Sequence, residues 1–274
     1  MAAMLPLIVA AAAAALSQAE PSPAPGSPNK DDEIVIEGRR EDAVRAFVRS
    51  LDRSGPTEQL GRWKQTVCPA VAGIAPSEAA WMEERIVAVA SAVDLKRQAR
   101  CMPNLIVIVT DEPEATAHRI AKIFPRDDGQ LAIRKFERSD APVRWLTVTD
   151  PCGDGCSLAN SRIEQSTRPT FSGLLILVDG RRVGGFSLLE LADYVALVGL
   201  SNPAQGHRHP ASSILSMFDR PRDGGRYAIT AEDEAFLIAL YHSNMGNRSA
   251  SQQSAIANEM KRRLAKPPEE PERR

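Results

Sequence analysis

The sequence predicts an α+β domain of mixed α/β layers, with a central sheet and helices packed on it. Three observations lead there. Asn104 to Thr110 (NLIVIVT) is apolar and rich in β-branched residues, the pattern of a central strand covered on both faces. Leu174 to Val178 (LLILV) is a second continuous apolar run suited to a buried strand. Each run gives way to a helix signal, Pro113 in a first turn after the one and Ser187 as a cap after the other. Strand followed by helix is the pattern of a layered core.

The chain begins with a targeting segment. Leu5 to Leu16 is an uncharged run of about a dozen residues, the length of a signal-peptide apolar region and short for a bilayer span. Ser17-Gln18-Ala19 offers small residues where a signal peptidase reads, so residues 1–19 are expected to be a signal peptide cleaved after Ala19. No Lys or Arg precedes the run, which leaves an uncleaved anchor as the alternative. Residues 20–32 (EPSPAPGSPNKDD) read as a disordered linker and residues 267–274 as a disordered tail, leaving a single domain over 33–266.

Composition narrows the function. A formal charge of −1 lacks the basic excess of a nucleic-acid-binding surface. Hydrophobic content of 43% supports a core, and no second long apolar run follows the first, so no membrane span is expected after signal cleavage. The four cysteines, Cys68, Cys101, Cys152 and Cys156, suit an oxidising compartment, periplasmic or secreted. Pairing of Cys152 with Cys156 is favoured because Pro-Cys-Gly-Asp-Gly-Cys can fold back on itself. Cys68 with Cys101 would then tie a helix entry to the start of a strand. A redox or zinc role is the alternative, weakened by CxxxC spacing and by the lack of a His at zinc-finger distance.

In chain order, Glu33 to Glu37 (EIVIE) alternates like a short strand, and Glu41-Asp42 open a helix with Val44, Phe47, Val48 and Leu51 on one face. Trp63 to Ala72 reads as irregular chain. Ser77 caps a helix to about Leu95 with Trp81, Ile86, Val89, Ala90 and Val93 available for the core, and Trp63 is also assigned to the core. Pro113 starts a helix to Phe124, with His118 on it as a solvated or core histidine; Pro125 to Asp140 stays unassigned. Val143 to Thr149 is a further strand. After Asp179-Gly180, a tight-turn dipeptide, Ser187 caps a helix that buries Leu188, Leu191, Ala192 and Val195. Pro203 to Pro210 is a loop, Ile214 to Phe218 a short turn or helix, Thr230-x-x-Asp233 a helix cap, and about Ser251 to Leu264 a last helix.

The helix after Ser187 places Glu190 and Asp193 one turn apart, and these are the candidate site residues. Glu190 is the candidate catalytic carboxylate. Asp193, His207 and His209 are candidate metal ligands, the two histidines lying in the loop bracketed by Gly206 and Pro210. There is no GxSxG, P-loop or GxGxxG after a strand.

The order strand, helix with Glu190 in its first turn, loop, turn with Met217, then a helix opening with ITAEDEAFLIALY resembles the C-terminal half of zinc peptidases of the metzincin and matrixin type. The chain also resembles an uncharacterised secreted bacterial protein family, through Val67 to Gly73, Cys101 to Leu105, Leu191 to Tyr194 and Ile214 to Phe218. The first resemblance implies a zincin-like arrangement, but without the HExxH zinc ligands. With Glu190 in the catalytic position, the ligand positions fall on Leu189, Asp193 and Gly199, and the glycine position on Ala196. A zincin needs imidazoles at i and i+4 on one helix face, and Leu189 has no lone pair to offer.

Three readings follow. One is an exported pseudoenzyme, non-catalytic on a degenerate metallopeptidase-like scaffold, whose cleft binds a peptide or an envelope protein. The second is a zinc-dependent peptidase with atypical ligands. The third is a structural or assembly factor of the envelope that recruits a partner by edge addition, through the LLILVD strand or the termini.

Overall fold

A computed structural model describes residues 30–51, 59–96, 98, 100–124, 130–156, 164–206, 208–220 and 226–265. The expected signal peptide, the expected tail and most of the expected linker lie outside the described residues. The chain divides into two compact units, Met1–Gly38 and Arg39–Arg274. Of the first, the described part is the start of helix α1 (Lys30–Leu51), which continues into the second.

The second unit is a mixed α+β structure on a four-stranded sheet. Its strands are β1 (Pro69–Ala72), β2 (Leu105–Thr110), β3 (Val143–Asp150) and β4 (Thr170–Asp179), in the order β1-β2-β4-β3. β1, β2 and β4 are parallel, and β3 runs antiparallel along one edge. The remaining helices are α2 (Pro76–Ser91), α3 (Pro113–Ile123), α4 (Gln130–Arg138), α5 (Gly180–Val183), α6 (Leu188–Ser201), α7 (Ala231–His242) and α8 (Ser249–Ala265). A 3-10 helix spans Ile214–Phe218.

Alternation along the central strands sorts side chains into two cores. Leu105 and Val107 of β2 and Leu174, Ile176 and Val178 of β4 enter the main core with α2, α6, α7, α8 and the Val44 to Leu51 face of α1. Ile108, Leu175 and Leu177, with Leu146 of β3, enter a smaller core beneath α3 and α4, closed by Ala117, Ile120 and Phe136. This is why the strands read as unbroken apolar runs: both faces are covered.

Several expectations are corrected. Glu33 to Glu37 is helical, within α1, and so are Lys30 to Asp32 at the end of the expected linker. A five-residue alternation is too short to commit the backbone without a sheet partner, whereas each residue added to an adjoining helix gains a local hydrogen bond. Trp81 is 43% exposed, because the buried face of α2 runs through Ala79, Met82, Ile86, Val89 and Ala90 and leaves it off the stripe. The segment before Gly73 is not irregular throughout but ends in β1. Cys68 N–H donates to the Asn104 carboxamide at 2.8 Å, which sets β1 beside β2. Gly73 then leaves the strand at φ +91°, where an added Cβ would stand 1.8 Å from the Val109 carbonyl oxygen. Asp179-Gly180 opens α5 instead of a tight turn, with Asp179 accepting from Arg181 N–H at 3.1 Å. β4 pairs on both sides, so the LLILVD strand is interior and unavailable for edge addition.

Gly199, the third ligand position of the zincin register, is where α6 crosses the sheet. An added Cβ there would lie 2.5 Å from Leu105 Cδ1, itself fully buried. Gly199→Val is expected to destabilise the fold by about 2–3 kcal/mol through overpacking. The better helix propensity of valine offsets only about 0.5 kcal/mol of that. Urea unfolding of the variant against the parent measures it.

Candidate functional site

Helix α6 presents the two candidate carboxylates, and the local sequence explains how. Ser187 Oγ accepts the Glu190 N–H at 3.3 Å, while Glu190 Oε2 accepts from Ser187 N–H at 2.7 Å and from Ser187 Oγ at 2.8 Å. This reciprocal cap starts the helix. The other oxygen, Oε1, accepts from Tyr227 N–H at 2.9 Å. Glu190 is 6% exposed, so little of its carboxylate reaches solvent.

Asp193 is buried completely one turn on. Its Oδ1 lies 2.5 Å from Arg85 Nε of α2, and its Oδ2 accepts from Ile229 N–H at 3.2 Å. The hydrogen bond that Arg85 donates to Asp193 is the main cause that raises the Arg85 guanidinium above its ordinary value. The two carboxylates therefore act as a pair, but on the backbone. They take N–H groups from alternate residues, 227 and 229, of the segment that leads into α7.

A third carboxylate extends the arrangement. Asp233 Oδ1 accepts from Ser213 Oγ at 2.6 Å, and Oδ2 from Ile214 N–H at 2.8 Å and Thr230 N–H at 3.1 Å. Thr230 Oγ1 returns the cap by accepting Asp233 N–H at 3.0 Å. One buried side chain thus starts both α7 and the 3-10 helix. Burial pushes the Asp233 carboxyl above its usual range, against the pull of these donors. The folded chain then holds that proton to higher pH than the unfolded chain. The stability Asp233 contributes is accordingly full below the unfolded carboxylate range and falls as pH rises through the folded pKa.

Among the described residues no other candidate joins Glu190 and Asp193 in a metal-holding group. Leu189 is 42% exposed. His209 is half-buried in its loop, and His207 lies outside the described residues. Met217 is fully buried in the main core. His118 is at the surface, 2.6 Å from Glu137 Oε1, and His242 pairs with Asp94 at 3.3 Å. Among the described residues no three His, Cys, Asp or Glu side chains come together as a metal-holding group. The donor set also does not fit zinc: Asp193 is committed to a guanidinium and an N–H, and the neighbouring ligand position is leucine. Cys68 is bonded to Cys101 and Cys152 to Cys156, and a pair of disulfides fits an oxidising compartment. Among the described residues no helix is long and apolar enough to cross a membrane.

Sequence reasoning missed a cavity of about 590 Å3 beside β3. Gln59, Thr147, Thr149, Gln165, Thr167 and Asn202 supply its polar wall, and among the described residues no charged side chain lines it. Asn202 is held at the left-handed end of α6, φ +47°, where it accepts from Thr147 Oγ1 at 2.7 Å. Gln59 Nε2 donates to the Met245 and Asn247 carbonyls, both at 2.7 Å, and its Oε1 accepts from Thr167 Oγ1 at 2.9 Å. Such a wall of amides and hydroxyls offers neutral donors and acceptors and no general acid or base. Its residues come from well-separated parts of the chain, so no local motif announces it.

The sheet edges are closed in part by side chains. Glu83 of α2 accepts the outward N–H of Val71 on β1 at 2.8 Å. On β3, Gln205 accepts from Trp145 N–H at 3.2 Å and donates to Trp145 O at 2.8 Å. Comparison of the chain with known family models, with curated proteins and with solved structures finds no match.

Proposed function

We propose that this is an exported, non-catalytic protein of the periplasm or the extracellular space, a pseudoenzyme on a zincin-like scaffold that binds a peptide or an envelope protein. One observation carries the reading: both oxygens of Glu190 and both of Asp193 accept hydrogen bonds from the protein itself, three of their donors being backbone N–H groups. A buried carboxylate whose two oxygens are both engaged in this way is held and oriented by the protein itself, which argues against its use on water or a metal. The zincin-like part rests on order, since β4, α6, the Met217 turn and α7 follow one another as the resemblance implies. Export is supported by the disulfides. The cavity beside β3 suits the binding role, because amide and hydroxyl groups match the neutral donors and acceptors of an extended peptide.

Elemental analysis of the disulfide-intact mature protein tests the non-catalytic half. Zinc is expected far below one ion per chain and unchanged in Asp193→Ala. Stoichiometric zinc that is lost in Asp193→Ala or His209→Ala would establish the metallopeptidase instead. Calorimetric titration with pooled uncharged peptides tests the other half. Binding is expected to disappear in Thr149→Arg, which places a long cation at the exposed rim of the cavity, and binding that survives the substitution moves the site elsewhere.

A further inference from the structure

Helices α2 and α7 both pack on α6, and a small crevice of about 190 Å3 lies between them. Its walls are aliphatic: Ala88, Ala92 and Val93 from the side of α2, and Leu237 and Ile238 from α7. Ala88 and Ala92 are one turn apart and both exposed, and their methyl groups are too short to close the gap.

The two ends of the crevice differ. Arg85 and Glu234 line one end, where Arg85 also holds Asp193 and, through it, the Ile229 N–H just ahead of α7. Beyond the other end, Asp94 pairs with His242 at 3.3 Å. One cation and one carboxylate therefore stand at the same mouth of an apolar trough. Both have capacity to spare. Arg85 gives its Nε to Asp193 at 2.5 Å, and among the described residues its two terminal amino groups donate no hydrogen bond. Glu234 is exposed, and among the described residues its carboxylate makes neither a hydrogen bond nor an ion pair. Its charge still reaches Arg85, adding to the Asp193 hydrogen bond that is the main cause of the raised guanidinium.

We propose that this crevice is a binding site for a free α-amino acid with an aliphatic side chain, such as leucine. The ligand carboxylate takes the terminal amino groups of Arg85, whose planar fork suits it, the ammonium takes Glu234, and the side chain lies along the trough. An α-amino acid carries its two charges next to each other on one carbon, which a mouth of both signs matches. A fatty carboxylate would meet Glu234 and an aliphatic amine would meet Arg85, each with a like charge beside it. A residue inside a peptide has neither charge, and one at a peptide end has only one of the two. The volume limits the occupant to a single small molecule. This site is separate from the cavity beside β3 and from the metal content of α6, and can be absent without touching either.

The test is an NMR titration of the mature, disulfide-intact protein with leucine, with isocaproate, which is leucine without the amine, and with isoamylamine, which is leucine without the carboxylate. Leucine is expected to bind at least about tenfold more tightly than either, since it makes one charge-assisted contact more than each. Glu234→Gln should remove the advantage of leucine over isocaproate. Ala88→Phe fills the crevice and should abolish leucine binding. Both positions are exposed, so circular dichroism is expected to be unchanged in the two variants. No binding of leucine, or leucine bound no more tightly than isocaproate or isoamylamine, would overturn the proposal. Leucine binding that survives Ala88→Phe, or an advantage over isocaproate that survives Glu234→Gln, would do the same.

Discussion

Cys68→Ser with Cys101→Ser is expected to lower the unfolding free energy by about 4 kcal/mol, the loop-closure cost of the 33-residue separation that the bond spans. The loop contains all of α2, which packs on α6 and carries Arg85, so loosening it frees a wall of the main core. The bond also stands beside the Cys68 and Asn104 contact that sets β1 against β2. By contrast, Cys152→Ser with Cys156→Ser removes a bond across a separation of only 4 and is expected to cost about 2 kcal/mol. Guanidinium unfolding of the two serine pairs under non-reducing conditions gives the ratio. Equal losses would show that the bond across α2 constrains the unfolded chain no more than the short one does.

The second large effect is expected at Asp193. Asp193→Ala should destabilise by about 3 kcal/mol, because it strips Arg85 of its partner and leaves the Ile229 N–H without an acceptor. Arg85 keeps 36% of its side chain in contact with water, which places the cost at the lower end for a broken buried pair. Arg85→Met combined with Asp193→Leu should recover part of the loss, since removing both charges ends the desolvation cost along with the attraction. Equilibrium unfolding of the single and double variants decides it. A stable Asp193→Ala protein would mean that the carboxylate is not structural and would reopen its candidacy as a ligand.

What was legible in the sequence follows physical lines. β2 and β4 could be read because covering both faces of a strand writes an unbroken apolar run. α6 and α7 could be read because Ser187 and Thr230 cap locally, within three residues of their partners. β1 could not, since Pro69-Ala70-Val71-Ala72 carries little strand preference and is held by its neighbour. α4 was hidden in a charged stretch, and its C-terminal end is capped from β3 by Arg144, whose guanidinium donates to the Ser139 carbonyl. Arg62 does the same for α7, donating to the Leu240 carbonyl at 2.7 Å and the Ser243 carbonyl at 2.9 Å. An arginine that caps from a distant element leaves no local signature.

The candidate site was legible in position and not in occupation. Spacing placed Glu190 and Asp193 together on α6, as the structure does. One oxygen of each accepts from a backbone N–H group far away in sequence, 37 residues for Glu190 and 36 for Asp193. Every residue has such a group, so nothing in the side chains of Tyr227 or Ile229 marks it.

The Gln205 contact has a wider meaning. By giving one acceptor and one donor to the same residue of β3, its carboxamide supplies what a neighbouring strand would supply at Trp145. It acts as a strand one residue long that cannot be extended, and Glu83 similarly terminates the opposite margin at Val71. One residue on each edge strand is thereby withheld from pairing with another copy. A sheet without these contacts would present at both positions a template for polymerisation.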